Sequence, residues 1–186
     1  MGLKKSNVKR YGLIGRNIEY SFSREYFKHK FKIENLSNYS YENFDLKHIG
    51  EIKSVLAQND ILGLNVTSPY KREVIPFLNY LSTASEEINA VNTIKFERDG
   101  SFSGHNTDVF GFEKSLREIM TVIPEKALIL GTGGAASAIA YILEKMKIKT
   151  SFVSRRVGEN LINYDIIDES VIHENLLIVN ASPVGT

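Results

Sequence analysis

The stretch Gly131-Thr-Gly-Gly-Ala-Ala136 constrains the fold of this chain more than any other part of its sequence. It follows the apolar run Ala127–Leu130 and precedes a segment in which apolar residues recur at helical spacing. In such a strand–turn–helix unit, Gly131 permits a tight turn, Gly133 lets the main chain approach a pyrophosphate, and Ala136 allows close helix–strand packing. The free amides at the start of the helix would bind the phosphates. The pattern therefore predicts a dinucleotide-binding turn, with a tight βα turn that binds no ligand as the alternative.

The end of the next expected strand, Lys149–Val153, indicates which dinucleotide is bound. An NAD-selective fold places an acidic residue there to hold the ribose 2′-hydroxyl. This chain has Ser154-Arg155-Arg156 instead, and a guanidinium binds a 2′-phosphate through its fork of donors. We therefore predict NADP rather than NAD, although Arg155 and Arg156 could also form an exposed basic turn.

Composition excludes several classes of protein. With 23 Lys plus Arg against 22 Asp plus Glu, the net charge is +1, which argues against a nucleic-acid surface or a polybasic membrane binder. The chain has no Cys, so disulfide scaffolds, thiolate metal sites and Cys nucleophiles are excluded. Its 4 His residues show no metal-ligand spacing, and its apolar runs are far shorter than the roughly 20 residues that span a bilayer. We predict a cytoplasmic protein without a metal, a membrane or a nucleic-acid partner.

Strand and helix patterns alternate through residue 121 and then restart, which predicts an α/β fold in two parts. We place the boundary near Thr121–Lys126, giving domains 1–122 and 123–186. Strands are predicted at Val8–Ile14, Tyr39–Phe44, Ile61–Val66, Ala90–Phe96, Ser101–Ser103, Ala127–Leu130, Lys149–Val153 and Leu176–Val179. Helices are predicted from an N-cap at Ser23 to about Leu36, over Leu46–Gln58, from Pro69, from an N-cap at Asn106, and after Gly133.

Lys71 is the most informative polar residue of the first part. With Ser68 as N-cap, it falls at about the third position of the helix expected from Pro69. A cation there opposes the helix dipole, and the same field lowers the lysine pKa, which suits proton transfer near neutral pH. Arg72 beside it shows that cations can also be tolerated and solvated at this place.

Other polar positions have both structural and functional interpretations. Asp108 falls in the first turn of a helix, where a carboxylate is favourable without any further role. Thr67 and Asn92 lie in or just after strands and could do no more than bond main-chain groups. Ser21 lies in a loop and has no obvious structural role, whereas Ser23 has a capping role.

Taken together, the motifs resemble those of the shikimate dehydrogenase family. The stretches that carry the resemblance, in order, are Tyr11–Gly15, Ser21–Ser23, Asn65–Lys71, Ala90–Thr93, Gly104–Asp108, Gly131–Ala135 and Asn180–Gly185. The resemblance implies an N-terminal α/β substrate-binding domain and a C-terminal Rossmann-type NADP-binding domain, with the reaction in the cleft between them. It also implies an oxidoreductase that reversibly reduces 3-dehydroshikimate to shikimate with NADPH, in chorismate and aromatic amino-acid biosynthesis.

The resemblance also implies roles for individual residues. Ser21 and Ser23 would bind the substrate carboxylate, while Thr67 and Asn92 would contact ring oxygens. Lys71 would be the acid/base group, paired with Asp108, whose charge raises the lysine pKa against the helix field. The cofactor-binding residues would be Gly131, Gly133, Gly134, Ala135, Ser154, Arg155 and Arg156.

Two departures from the family pattern leave alternatives open. The family usually has Asn-Arg-Thr where this chain has Ser154-Arg155-Arg156, so Ser154 and Arg156 carry over less securely than Arg155. Residues 127–186 supply little more than one of the two βαβαβ halves of a doubly wound domain, so we expect an incomplete Rossmann-type domain, in a fragment or a naturally truncated protein. The alternatives are a shikimate- or NADP-binding module without catalysis and a quinate-type dehydrogenase. Pairing as a homodimer stays open.

Overall fold

The computed structural model describes residues 8–155, 158 and 161–184. Contacts within the chain divide it into two compact units. The first comprises the residues up to Ser85 together with Val91–His105, and the second comprises Glu86–Ala90 and the residues from Asn106 onward.

The two units contain ten strands and six α-helices in the described part of the chain. The strands are β1 (Lys9–Gly15), β2 (Tyr39–Asp45), β3 (Ile61–Val66), β4 (Tyr80–Leu81), β5 (Thr93–Phe96), β6 (Phe102–His105), β7 (Lys126–Leu130), β8 (Lys149–Val153), β9 (Leu161–Ile162) and β10 (Leu177–Asn180). The α-helices are α1 (Phe22–Ile33), α2 (Ile52–Leu56), α3 (Thr83–Ile88), α4 (Asp108–Ile119), α5 (Gly134–Lys145) and α6 (Glu169–Glu174). Short 3₁₀ turns occur at Ile49–Glu51, Ile75–Phe77 and Tyr164–Ile166.

The first unit is built on a six-stranded mixed sheet in the order β2-β1-β3-β5-β6-β4. Strands β1, β2 and β3 are parallel, whereas β5 runs antiparallel to β3 and to β6. The carboxyl ends of β1, β2 and β3 therefore share one edge of the sheet with the beginning of β5. Ligands of α/β proteins bind beyond that kind of edge.

Alternation along β1 gives the first sheet a core on each face. Ile14 belongs to a buried cluster that includes Ile52 of α2 and the side chain of Tyr70. Leu13 points to the other face, where it packs with Tyr41 and with Phe27 of α1. Successive side chains of a strand point to opposite faces, so two helices can cover one sheet.

Arg10 of β1 connects β2 to the segment before β3. Its guanidinium donates to both carboxylate oxygens of Asp60, at 2.6 and 2.8 Å, and to Glu42 at 3.0 Å, and it also donates to Gln58. The hydrogen bond from Arg10 holds the pKa of Asp60 below its ordinary value. A planar cation with several donors is well suited to join a strand and a loop in this way.

The second unit contains a four-stranded parallel sheet in the order β10-β7-β8-β9. Numbered within the unit, the order is 4-1-2-3, which is the first part of the doubly wound dinucleotide fold. No described strand occupies the two further positions of that fold. The structure thus confirms the predicted α/β class with an incomplete Rossmann-type domain.

Helix α4 packs in the second unit, which the sequence did not indicate. Its residues Phe112 and Leu116, and Met120 directly after it, join a buried cluster with Ile139 and Leu143 of α5. The compact units therefore divide between His105 and Asn106, whereas the sequence analysis placed the functional boundary between residues 122 and 123. An apolar stripe shows that a helix packs on a partner, but it does not show which partner.

The helix predicted from Pro69 is wrong. Residues 68–74 form turns, and the first helical residues are those of the 3₁₀ turn at Ile75–Phe77. The Tyr70 side chain is fully buried, and its N–H donates to Thr67 O at 3.0 Å, three residues back, as in a turn. Packing of this aromatic side chain into the core decides the local structure, and the expected helix field at Lys71 is not formed.

The N-cap predicted for the first helix is also wrong. Helix α1 begins at Phe22, and Ser21 caps it by accepting from the Ser23 N–H at 3.3 Å. Ser23 lies in the first turn instead. Within the described ranges, the structure contains no helix long and apolar enough to cross a membrane.

Candidate active site

Thr67, Lys71 and Asn92 come together at the carboxyl edge of the first sheet. The Thr67 N–H donates to Ile14 O at 2.8 Å, which holds the segment after β3 against the end of β1. The Val91 N–H donates to Lys71 O at 2.7 Å, and the Asn92 carbonyl accepts from Val66 N at 2.8 Å. Lys71 is half-buried, and Asn92 is only 8% exposed. The predicted catalytic residue Lys71 and two predicted substrate residues thus lie close together within the first unit.

A line of hydrogen-bonded side chains leads from Asn92, just before β5, across β3 to Tyr41 of β2. Thr93 Oγ1 donates to Asn92 Oδ1 at 3.0 Å and accepts from Asn65 Nδ2 at 3.3 Å. Asn65 Oδ1 accepts from the Tyr41 hydroxyl at 2.8 Å, and the Ser23 side chain lies beside that hydroxyl and lowers its pKa. We call these five side chains the hydrogen-bond relay. It connects two predicted substrate residues, Ser23 and Asn92.

Ser21 and Ser23 both lie at the amino end of α1. Ser21 follows a turn closed by its own N–H, which donates to Ile18 O at 2.9 Å. Both side chains are half-buried. The first amides of a helix have no partner within the helix, so this end of α1 favours an anion such as a carboxylate.

Sequence reasoning did not identify Tyr41, Asn65 and Thr93 as site residues. Asn65 and Thr93 lie in stretches that carry the family resemblance, which was the available signal. The sequence around Tyr41 showed only the alternation typical of a strand. A polar contact between residues that are distant in sequence leaves no local pattern.

Asp108 is the first residue of α4 and belongs to the second unit. Its N–H donates to Asn106 Oδ1 at 3.2 Å, and Asn106 Nδ2 donates to Ala90 O at 3.0 Å. Asn106 therefore fixes the start of the helix, although the N-cap is Thr107 and not Asn106 as predicted. Asp108 and Lys71 lie in different units, and their pairing stays a prediction.

The glycine turn of the second unit has the geometry expected of a phosphate-binding turn. Gly131 adopts a φ of +118°, and a Cβ there would lie 2.9 Å from Ala181 O. Gly133 is the N-cap of α5, and a Cβ on it would meet no atom within 4 Å. Ala136 is fully buried, so α5 approaches β7 closely. The open side of Gly133 and the first amides of α5, at Gly134 and Ala135, fit a pyrophosphate.

Three chain segments meet beside that turn. Leu130 is in register with Val153 of β8 and with Asn180 of β10, so Ser154 and Ala181 both follow positions next to Gly131. The Gly131 N–H donates to Val153 O at 2.9 Å. Since β8 and β10 flank β7 on opposite sides, this is the point where the strand order reverses. Dinucleotides bind at such a point.

Ser154 and Arg155 follow β8 at the same edge, with Arg155 exposed and the Ser154 N–H donating to Ile162 O at 2.9 Å. Arg156, predicted to bind the cofactor, lies outside the described residues. Asn180 was quoted only as part of a motif, yet its Oδ1 accepts from Ser182 N at 3.0 Å and orders the loop after β10.

Two other features do not coincide with the predicted residues. A groove of about 850 Å³ beside α1 and β2 is lined by Lys28, Phe31 and Tyr39, among others, and by none of the predicted site residues. In the described ranges, no group of three or more His, Asp or Glu side chains is placed to hold a metal ion.

Comparison with known proteins identifies the family. Residues 13–94 match the substrate-binding domain of shikimate dehydrogenase. Over 185 residues the chain is 36% identical to the shikimate dehydrogenase (NADP(+)) of Clostridium botulinum, covering 94% of this chain and 71% of that protein. The chain belongs to the shikimate dehydrogenase family. The predicted resemblance is thereby confirmed.

Solved structures of shikimate dehydrogenases have the same fold. The Aquifex aeolicus enzyme superimposes with a TM-score of 0.83 at 33% identity, covering 98% of this chain and 72% of that one. The Thermus thermophilus enzyme, solved in complex with NADP(H) and shikimate, gives a TM-score of 0.72 at 26% identity, covering 94% of this chain and 69% of that one.

Proposed function

We propose that this chain is an NADP-dependent oxidoreductase that interconverts 3-dehydroshikimate and shikimate. The observation that carries the proposal is the meeting of Thr67, Lys71 and Asn92 at one sheet edge, in a chain of the shikimate dehydrogenase family. The hydrogen-bond relay extends this cluster to Ser23. Donors and acceptors of this kind suit a ring that carries hydroxyl groups and a carboxylate.

The carboxylate of the substrate binds at the amino end of α1 in this proposal. Ser21 and Ser23 contribute hydroxyl groups, and the helix dipole favours the negative charge. Ser21 also caps the helix. A hydroxyl can accept from a main-chain amide and donate to a ligand at once, so the two roles are compatible.

Lys71 supplies the proton. When bound, NADPH supplies a hydride to the carbonyl carbon, and negative charge then develops on the carbonyl oxygen. An ammonium that donates a proton to that oxygen stabilises the transition state more than the ground state. Asp108 accepts from a substrate hydroxyl in the same proposal.

The cofactor binds along the carboxyl edge of the second sheet. The amides of Gly134 and Ala135 hold the pyrophosphate beside the open side of Gly133. Arg155 holds the 2′-phosphate, with Ser154 beside it. Arg156, the next residue in the sequence, adds positive charge.

The experiment is a steady-state assay that follows NADPH absorbance with 3-dehydroshikimate, combined with calorimetric titration of shikimate and NADP. We expect turnover and binding of both ligands. Binding of shikimate without turnover would identify a binding module instead. Binding of neither ligand would overturn the proposal, and a higher specificity constant for quinate than for shikimate would reassign the substrate.

Location and assembly are predictions of the same proposal. We place the protein in the cytoplasm, as the composition suggested, with small molecules as its ligands. Light scattering coupled to size-exclusion chromatography measures whether two copies pair.

A further inference from the structure

The hydrogen bonds of the relay run in one direction, from Tyr41 through Asn65 and Thr93 to Asn92. The Tyr41 hydroxyl donates to Asn65 Oδ1 at 2.8 Å and lies beside the Ser23 side chain. Because the Asn65 oxygen accepts from Tyr41, its amide nitrogen is the end that faces Thr93. Thr93 in turn donates to Asn92 Oδ1. Each member therefore fixes the donor and acceptor ends of the next one.

We propose that Tyr41, Asn65 and Thr93 are positioning residues that fix the Ser23 hydroxyl and the Asn92 carboxamide for substrate binding. This inference rests on the proposed function, since it assigns those two groups to the substrate. The three residues act through Ser23 and Asn92 and not by touching the ligand.

Packing holds the Tyr41 ring in one place. Tyr41 is 7% exposed, and its ring stacks on Phe27 of α1 with centroids 4.4 Å apart and planes 10° apart. The ring also belongs to the buried cluster with Leu13 and Ile18. Because the ring is held by packing, its hydroxyl has a single position, between α1 and β3.

The Tyr41 hydroxyl keeps its proton over the pH range of most enzymes. Burial raises its pKa to about 12, against a smaller lowering by the hydrogen bond with Ser23. The hydroxyl therefore remains a donor to Asn65, and the direction of the relay does not change near neutral pH.

The relay decides which end of the Asn92 side chain is oxygen and which is amide. The main chain of Asn92 is held by His105 O at 3.0 Å and by Val66 N at 2.8 Å. The Thr93 hydroxyl holds the oxygen of its carboxamide. A substrate hydroxyl bound by Asn92 therefore meets a group of defined polarity.

Tyr41→Phe separates this role from packing, because the ring stays and only the hydroxyl is lost. We expect the KM and the dissociation constant for shikimate to rise about tenfold, as for one lost hydrogen bond, with kcat and NADP affinity within about twofold of the wild type. The matched control is Tyr39→Phe on the same strand, whose hydroxyl meets the exposed Lys9 Nζ at 3.3 Å. The control should bind shikimate like the wild type.

A double-substitution cycle tests the coupling. If Tyr41 acts through Ser23, the combined Ser23→Ala and Tyr41→Phe variant should lose less affinity than the product of the single losses. Losses that multiply would overturn the positioning role. So would a Tyr41→Phe variant with the shikimate affinity of the wild type.

Thr93→Val provides the same test from the other end of the relay should Tyr41→Phe fail to fold. It should raise the dissociation constant for shikimate and leave that for NADP unchanged, and an unchanged value for shikimate would contradict the proposal. A wild-type chain that binds no shikimate would overturn the proposed function together with this inference. Binding by the wild type with no change in any variant would overturn this inference alone.

Discussion

Lys71 reaches the candidate site from a turn and not from a helix. Its carbonyl is held by the Val91 N–H at 2.7 Å, so the segment before β5 and not a helix dipole sets the position of its main chain. The sequence analysis expected a helix field that lowers the Lys71 pKa. That field is absent, because residues 68–74 form turns.

Lys71→Met tests the acid/base role. We expect kcat to fall about 10²–10⁴-fold, because the developing oxyanion loses its proton donor, while the chain remains folded. Turnover with 3-dehydroshikimate and a thermal melt measure the two effects. Lys32→Met, on the exposed side of α1, is the control and should keep full activity. Wild-type activity in Lys71→Met would contradict the mechanism.

Arg155→Ala tests the choice of cofactor. The KM for NADPH should rise about 10- to 100-fold, as expected for a lost charge-assisted contact to the 2′-phosphate. The KM for NADH should change little, because NADH lacks that phosphate. Arg98→Ala, an exposed arginine in the first unit, is the matched control. An equal loss for both cofactors would argue against the assignment.

At the scale of elements, two strands were predicted with their observed bounds. The bounds of β3 and β8 agree with the sequence prediction, whereas the helix from Pro69 does not exist. The short elements β4, α3, β9 and α6 were not predicted. A two- to six-residue element has too few residues for a period, and its conformation depends on tertiary contacts that the local sequence does not contain.

The same limit applies to the site. Residues in recognisable motifs, such as Thr67 and Gly131, could be predicted. The partners of those residues could not be predicted. Tyr41 and Asn65, for example, are 24 positions apart in sequence, so no local pattern indicates their contact.

The Arg10 cluster gives the first sheet a stability that depends on pH. Asp60 has a pKa below its ordinary value near 3.8, so its contribution is present above that value and is lost as the pH falls through the lower folded-state pKa. Arg10→Met should therefore reduce the free energy of unfolding by about 1 kcal/mol at pH 7, since the carboxylates are partly exposed. The difference should shrink below about pH 4.

Denaturant titrations at neutral and acidic pH measure this difference. Lys9→Met is the control, since Lys9 Nζ bonds to the Tyr39 hydroxyl and not to a carboxylate. A loss that is the same at both pH values would show that Arg10 contributes by packing alone.

At the scale of the whole molecule, each unit has its own buried core. The clusters around Ile14 and Leu13 lie in the first unit, and the cluster around Leu143 lies in the second. Such an arrangement favours local opening of one unit without the other. It also lets a substrate-binding part and a nucleotide-binding part be altered separately.

Leu143→Ala tests this separation. Leu143 is fully buried, so its truncation should destabilise the second unit by about 2–5 kcal/mol. Hydrogen exchange should quicken in β7 and α5 and stay unchanged in β1 and β3. Faster exchange throughout both sheets would mean that the chain unfolds as a single cooperative body.

The 2.9 Å approach of a Gly131 Cβ to Ala181 O links two segments that are 50 residues apart in sequence. Any side chain at residue 131 would push the loop after β10 away from the glycine turn. The two segments must therefore change together. A chimaera that exchanges one of them with another dehydrogenase should carry its companion loop as well, or the donor's turn will not close in its new host.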